Sequence, residues 1–98
     1  MATLTPAFLQ TLEDVIRQRL DEKAADSYTA SLAAGGERRI AQKIGEEAVE
    51  LALATVDGTR EELLDEAADL VYHLLVLLAI RDVSFADVVD VLQRRHSG

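Results

Sequence analysis

The chain has 98 residues, 49% of them hydrophobic, with no cysteine and a formal charge of −8. That length and apolar content describe a single folded domain over residues 1–98, and they argue against disorder, disulfides and thiolate zinc sites. The acidic surface repels a phosphodiester backbone, which removes nucleic acid as a partner.

Helical periodicity accounts for nearly the whole chain, with one proline and few strand-like alternations. The first helix is expected to start at Thr5 as N-cap, with Pro6 in the first helical position, where a missing N–H costs nothing. Its apolar face is Phe8, Leu9, Leu12, Val15, Ile16 and Leu20. "DEKAADS" reads as a polar break. "SYTASLAA" reads as a short helix of small residues, stopped by Gly35 and Gly36.

The third helix is expected over about Glu37 to Val56, ending at Asp57 and Gly58. Thr59 with Glu62 three residues later is a capping box that starts the fourth, which runs to about Arg81. Ser84 with Asp87 repeats that offset and starts a fifth, ending near Arg95. From Leu70 to Ile80 the fourth helix is apolar on every face except at Tyr72 and His73. These eleven residues are too few for a bilayer, which takes about 20. A helix apolar all round must instead be surrounded, and four short helices offer little cover. The expected architecture is an all-α helical bundle around a central antiparallel hairpin, completed by a second copy of the chain. The N-terminal segment has no basic start and no cleavage site, so a cytoplasmic, membrane-free protein is expected.

The third and fourth helices carry the chemistry. Glu46 and Glu50 are spaced i,i+4, and Glu47 and Glu50 i,i+3. On the next helix Glu66 and Asp69 are i,i+3, and Asp65 and Asp69 i,i+4. Like charges so placed oppose the helix by about 0.2–0.5 kcal/mol per pair, and by more beside a low-dielectric core. With a turn near Gly58, Glu50 and Glu66 lie at one height of the hairpin, Glu47 and Asp69 at the next. Glu47, Glu50, Glu66 and Asp69 either form a solvated acidic face or converge as an all-oxygen ligand set, which would favour Mg²⁺ with Mn²⁺ as substitute. A di-iron centre is disfavoured, because the position that should hold histidine three residues after Glu66 is Asp69. Lys43, Arg39 and Arg38, one to two turns upstream of Glu46, either neutralise surface charge or clamp a phosphate. His73 and Tyr72 read as core or packing residues.

These words resemble a known family. "ERRIAQKIGEEAVELALATV", "EAADLVYHLLVLL" and a terminal "VLQRRH" are similar to the phosphoribosyl-ATP pyrophosphohydrolases, a branch of the MazG-like all-α nucleotide pyrophosphohydrolases, and "DSYTASL" fits the same branch. The superfamily signature EExxE…ExxD falls on Glu46, Glu47, Glu50, Glu66 and Asp69. The resemblance implies Mg²⁺-dependent hydrolysis of 1-(5-phosphoribosyl)-ATP to 1-(5-phosphoribosyl)-AMP and pyrophosphate, the second step of histidine biosynthesis, by a dimer. The family is often fused behind a cyclohydrolase domain, and because this chain starts a few residues before its first helix, a stand-alone enzyme is expected. The resemblance also implies Glu46 or Glu47 as the group that orients or deprotonates water, and Lys43, Arg39 and Arg38 as substrate contacts. A housecleaning nucleotide pyrophosphohydrolase of the same fold is the alternative.

Overall fold

The computed structural model describes residues 4–22 and 28–97. Five helices follow in order: α1 (Leu4–Glu22), α2 (Tyr28–Ala34), α3 (Glu37–Asp57), α4 (Arg60–Ile80) and α5 (Phe85–His96). No strand occurs among the described residues.

Local signals set most of these boundaries. Thr59 accepts a hydrogen bond from the Glu62 N–H at 3.1 Å, and the Glu62 carboxylate reaches back to the Thr59 N–H, so the capping box is closed in both directions. Ser84 and Asp87 do the same for α5. Between α2 and α3 the chain reverses at Gly36, whose φ of 87° lies in the region that side chains disfavour. The expectation for the start of α1 is shifted. Helix is already present at Leu4, one residue before the expected N-cap Thr5, so Pro6 still falls in the first turn, where backbone N–H groups have no intrahelical acceptor. Most of the polar break, residues 23–27, lies outside the described residues.

The α3–α4 hairpin is the axis of the molecule, and its most extensive helix contact. The turn between the two helices is tight. A Cβ on Gly58 would stand 2.9 Å from the Ala54 carbonyl oxygen, so the residue there must be small for the Gly58 N–H to bond that carbonyl at 2.9 Å. The other helices pack near the open end of the hairpin. Ile16 of α1, Leu32 of α2, Ile40 of α3, and Leu75 and Val76 of α4 form the buried core, with Leu9, Leu12, Leu20, Ile44 and Phe85 against it.

One expectation about burial is corrected. Phe8 is 62% exposed rather than part of the α1 face. The buried stripe runs through Leu9, Leu12, Glu13, Ile16 and Leu20, and Phe8 lies one helical step, about 100°, off Leu9. Glu13 takes the place on that stripe and is buried. Its carboxylate accepts the Phe85 N–H at 2.7 Å, satisfying an orphan donor at the start of α5. The apolar run of α4 is only partly covered. Within one chain only His73, Leu75 and Val76 of that run are buried, and Val71 is exposed.

Candidate metal centre

On α3, Glu47 and Glu50 lie less than one turn apart; on α4, Glu66 and Asp69 do the same. The antiparallel register brings the two pairs together. Glu66 comes within hydrogen-bonding reach of the Glu50 carboxyl, and it feels the charges of Glu50, Asp69 and Glu47. The match of Glu50 with Glu66 expected from the hairpin is therefore present.

The cluster is electrostatically unbalanced. The Glu66 carboxyl is pushed above its ordinary 4.5, first by its hydrogen bond with Glu50, then by desolvation, then by the negative charges of Glu50, Asp69 and Glu47. Two side-chain oxygens are shut off from solvent: Oε2 of Glu66 with no hydrogen-bond partner, and Oε1 of Glu47 with only the His73 Nδ1 against it. Glu47 as a whole is 3% exposed. Buried carboxylate oxygens without partners are costly unless a proton or cation compensates. Among the described residues no three acidic or histidine side chains are already drawn to a common point. The donor set nevertheless fits a hard divalent cation: every donor is a carboxylate oxygen, Oε2 of Glu66 is orphaned, and one carboxyl is biased toward keeping its proton.

A pH dependence follows from Glu66. Because its folded value is raised, the folded chain holds a proton at pH values where the unfolded chain has released it. The resulting stability is fully present below pH 4.5 and is lost as pH rises through the folded value. Thermal melts of the metal-free protein should therefore show wild type losing ground to Glu66→Gln as the pH rises from 4.5. A difference between the two proteins that stays flat over this range overturns the assignment.

The other sequence-derived residues are placed differently. Glu46 is exposed, and its carboxylate accepts from Gln42 at 3.4 Å, on the flank of the cluster rather than inside it. Lys43 is half-buried one turn before Glu47. Arg38 and Arg39 are exposed in the first turn of α3, with the Arg39 methylenes over Gly35. Beside the carboxylates, a pocket of about 360 Å³ opens toward the turn, lined by Glu50, Leu53, Ala54, Asp57, Gly58, Glu62 and Glu66.

Sequence reasoning missed a polar layer behind the acids. His73 is 5% exposed. Its Nδ1 lies 2.9 Å from the Asp69 main-chain oxygen and against Glu47 Oε1, while its Nε2 meets the Tyr28 hydroxyl at 2.6 Å. The Tyr72 hydroxyl is bonded to the buried Thr29 hydroxyl. The Tyr28 and Tyr72 rings stack with centroids 6.4 Å apart, and both meet His73 edge-on. "DSYTASL" carries Tyr28 and Thr29, so the motif was visible although its contacts were not.

Comparison with known proteins places the same residues in context. The family model described as phosphoribosyl-ATP pyrophosphohydrolase matches residues 9–96. The bifunctional histidine biosynthesis protein HisIE of Yersinia pestis is 52% identical over 90 residues, covering 92% of this chain and 44% of that protein. The protein of the same name from Xylella fastidiosa strain Temecula1 is 54% identical over 89 residues, covering 91% and 43%. That from Campylobacter jejuni is 53% identical over 89 residues, with the same coverage. The chain thus spans under half the length of these relatives.

Proposed function

The chain belongs to the phosphoribosyl-ATP pyrophosphohydrolase family, and on that premise we propose that it hydrolyses 1-(5-phosphoribosyl)-ATP to 1-(5-phosphoribosyl)-AMP and pyrophosphate in histidine biosynthesis. The observation that carries the proposal is the meeting of Glu50 with Glu66, within range of Glu47 and Asp69, in a cluster that holds more negative charge than its surroundings balance.

Glu47, Glu50, Glu66 and Asp69 would hold Mg²⁺, with Mn²⁺ as a substitute. When bound, the cation supplies Lewis acidity and neutralises charge on phosphate oxygens. Glu46 or Glu47 orients a water and accepts its proton as the α–β anhydride bond breaks and pyrophosphate leaves. Glu46 is exposed and free to reach water, whereas Glu47 is buried against His73. Lys43, Arg39 and Arg38, upstream of the acids on α3, would meet the phosphates of an otherwise repelled polyanion. No serine or cysteine sits among the acids, so direct attack by water fits better than a covalent intermediate.

Pyrophosphate release from phosphoribosyl-ATP, with Mg²⁺ and with EDTA, tests this directly. Release should require the metal and should exceed release from dUTP and dCTP by at least about tenfold, since contacts with the added phosphoribosyl group are worth at least one factor of ten. Equal turnover of the simple nucleotides would favour the housecleaning activity.

The acting form is a homo-oligomer, most simply a dimer, in the cytoplasm. No described helix is long and apolar enough to cross a membrane. Val49, Leu53 and Val56 lie on one face of α3 at 60%, 61% and 83% exposure, and Leu64 and Val71 of α4 are exposed as well. An apolar stripe of this kind marks an association surface. Light scattering should give twice the chain mass for wild type and a shift toward the monomer for Leu53→Glu; a monomeric wild type overturns the assembly.

A further inference from the structure

The imidazole of His73 sits where a core histidine would need only two partners and has three. Its Nδ1 faces the Asp69 main-chain oxygen at 2.9 Å, and that oxygen accepts only. Nδ1 therefore carries the hydrogen in every protonation state of the ring. Glu47 Oε1 lies against the same nitrogen. The N–H is aimed along α4 at the carbonyl, which leaves Oε1 without a hydrogen bond. The same hydrogen lies between the two oxygens, Asp69 O and Glu47 Oε1. On the far edge, Nε2 is pinned at 2.6 Å by the Tyr28 hydroxyl of α2. Both the ring and the Glu47 side chain are almost wholly buried, at 6% and 4% exposure, so water does not compete for either.

We propose that His73 is the positioning residue of the acidic centre: its Nδ1–H is shared between the Asp69 carbonyl and Glu47 Oε1, and it fixes the Glu47 carboxyl at the height of Asp69. One imidazole edge thereby ties an acid on α3 to the backbone of an acid on α4. Tyr28 brings α2 into the same chain of contacts. The second Glu47 oxygen is left to face cation or water. A hydrogen-bond donor behind a ligating carboxylate sets its orientation, and loss of such a partner typically weakens metal affinity ten- to a hundredfold. This role rests on the pyrophosphohydrolase assignment above.

The test pairs two amides. Asparagine places an N–H near the Nδ1 position, whereas glutamine places one near Nε2. Mn²⁺ binding to the metal-free protein, read by electron paramagnetic resonance, should weaken about ten- to a hundredfold in His73→Gln and His73→Leu and recover to within about threefold of wild type in His73→Asn. Tyr28→Phe should show a smaller loss of the same sign. Melting temperatures without metal report the packing role separately; a purely structural histidine would lower them while leaving the Mn²⁺ dissociation constants of folded Gln and Asn variants equal. Equal constants overturn the proposal, and if His73→Leu does not fold, the Gln–Asn pair decides alone. Wild type that releases pyrophosphate while His73→Gln binds Mn²⁺ normally sinks the positioning role only. Wild type that neither binds Mn²⁺ nor releases pyrophosphate sinks the functional assignment and this role together.

Discussion

Glu50→Gln and Asp69→Asn should each lose turnover of phosphoribosyl-ATP by about 10²–10³-fold or more, the scale seen when one preorganised electrostatic group is removed from a reaction site. Both should stay folded. Glu50 and Asp69 are exposed, and neither belongs to the apolar core. The Glu50→Gln amide can donate to the Glu66 carboxyl that now meets another carboxyl. The metal-free variant should therefore melt at or above the wild-type temperature at pH 7.5, because a like-charge contact becomes a hydrogen bond. Opposite movement of activity and stability is the signature of residues kept for chemistry at a cost to folding. Near-normal pyrophosphate release by both variants would overturn the site.

The second large effect lies in the core. Leu75 is 1% exposed and belongs to a buried group with Ile16, Leu32, Ile40 and Val76. Truncation to alanine removes three buried carbons and leaves a cavity, which costs about 2–5 kcal/mol. Domains of this size have about 5–15 kcal/mol in total, so Leu75→Ala should lose a large share of its stability. Urea unfolding should show a much lower midpoint with an unchanged slope. Leu92→Ala, on α5 and outside the proposed association stripe, is the control. At 48% exposure it should cost well under half as much as Leu75→Ala, since there is less buried surface to lose. Equal losses in the two variants would mean that Leu75 is not buried as the packing described above has it.

What could be read from the sequence divides by range. The caps at Thr59 and Ser84 were legible because a capping box is closed within four residues. The meeting of Glu50 with Glu66 was legible because the turn between their helices is too short to allow another register. Glu13 was not. It reads as a surface acid until Phe85, 72 residues away, supplies the N–H that makes its burial tolerable. His73 likewise read as an ordinary core residue, since its partner Tyr28 is 45 residues away on a seven-residue helix. Phe8 failed for a different reason: periodicity gives the direction of a face but not its width, and Phe8 falls just past the edge of what α2, α4 and α5 cover.

The position of the core along the hairpin has a mechanical consequence. Ile40, Ile44, Leu75 and Val76 anchor α3 and α4 at one end, while from Glu50 to Glu62 no side chain is buried. The outer half behaves as a cantilever clamped near Ile44 and Leu75, with the carboxylates at its root rather than its tip. Bending is resisted least where backbone and side chains meet the fewest neighbours. Swaying of the Gly58 tip is thereby converted into a small change of spacing between acids on opposite arms, and the rigidity of that spacing depends on whatever braces the uncovered flank.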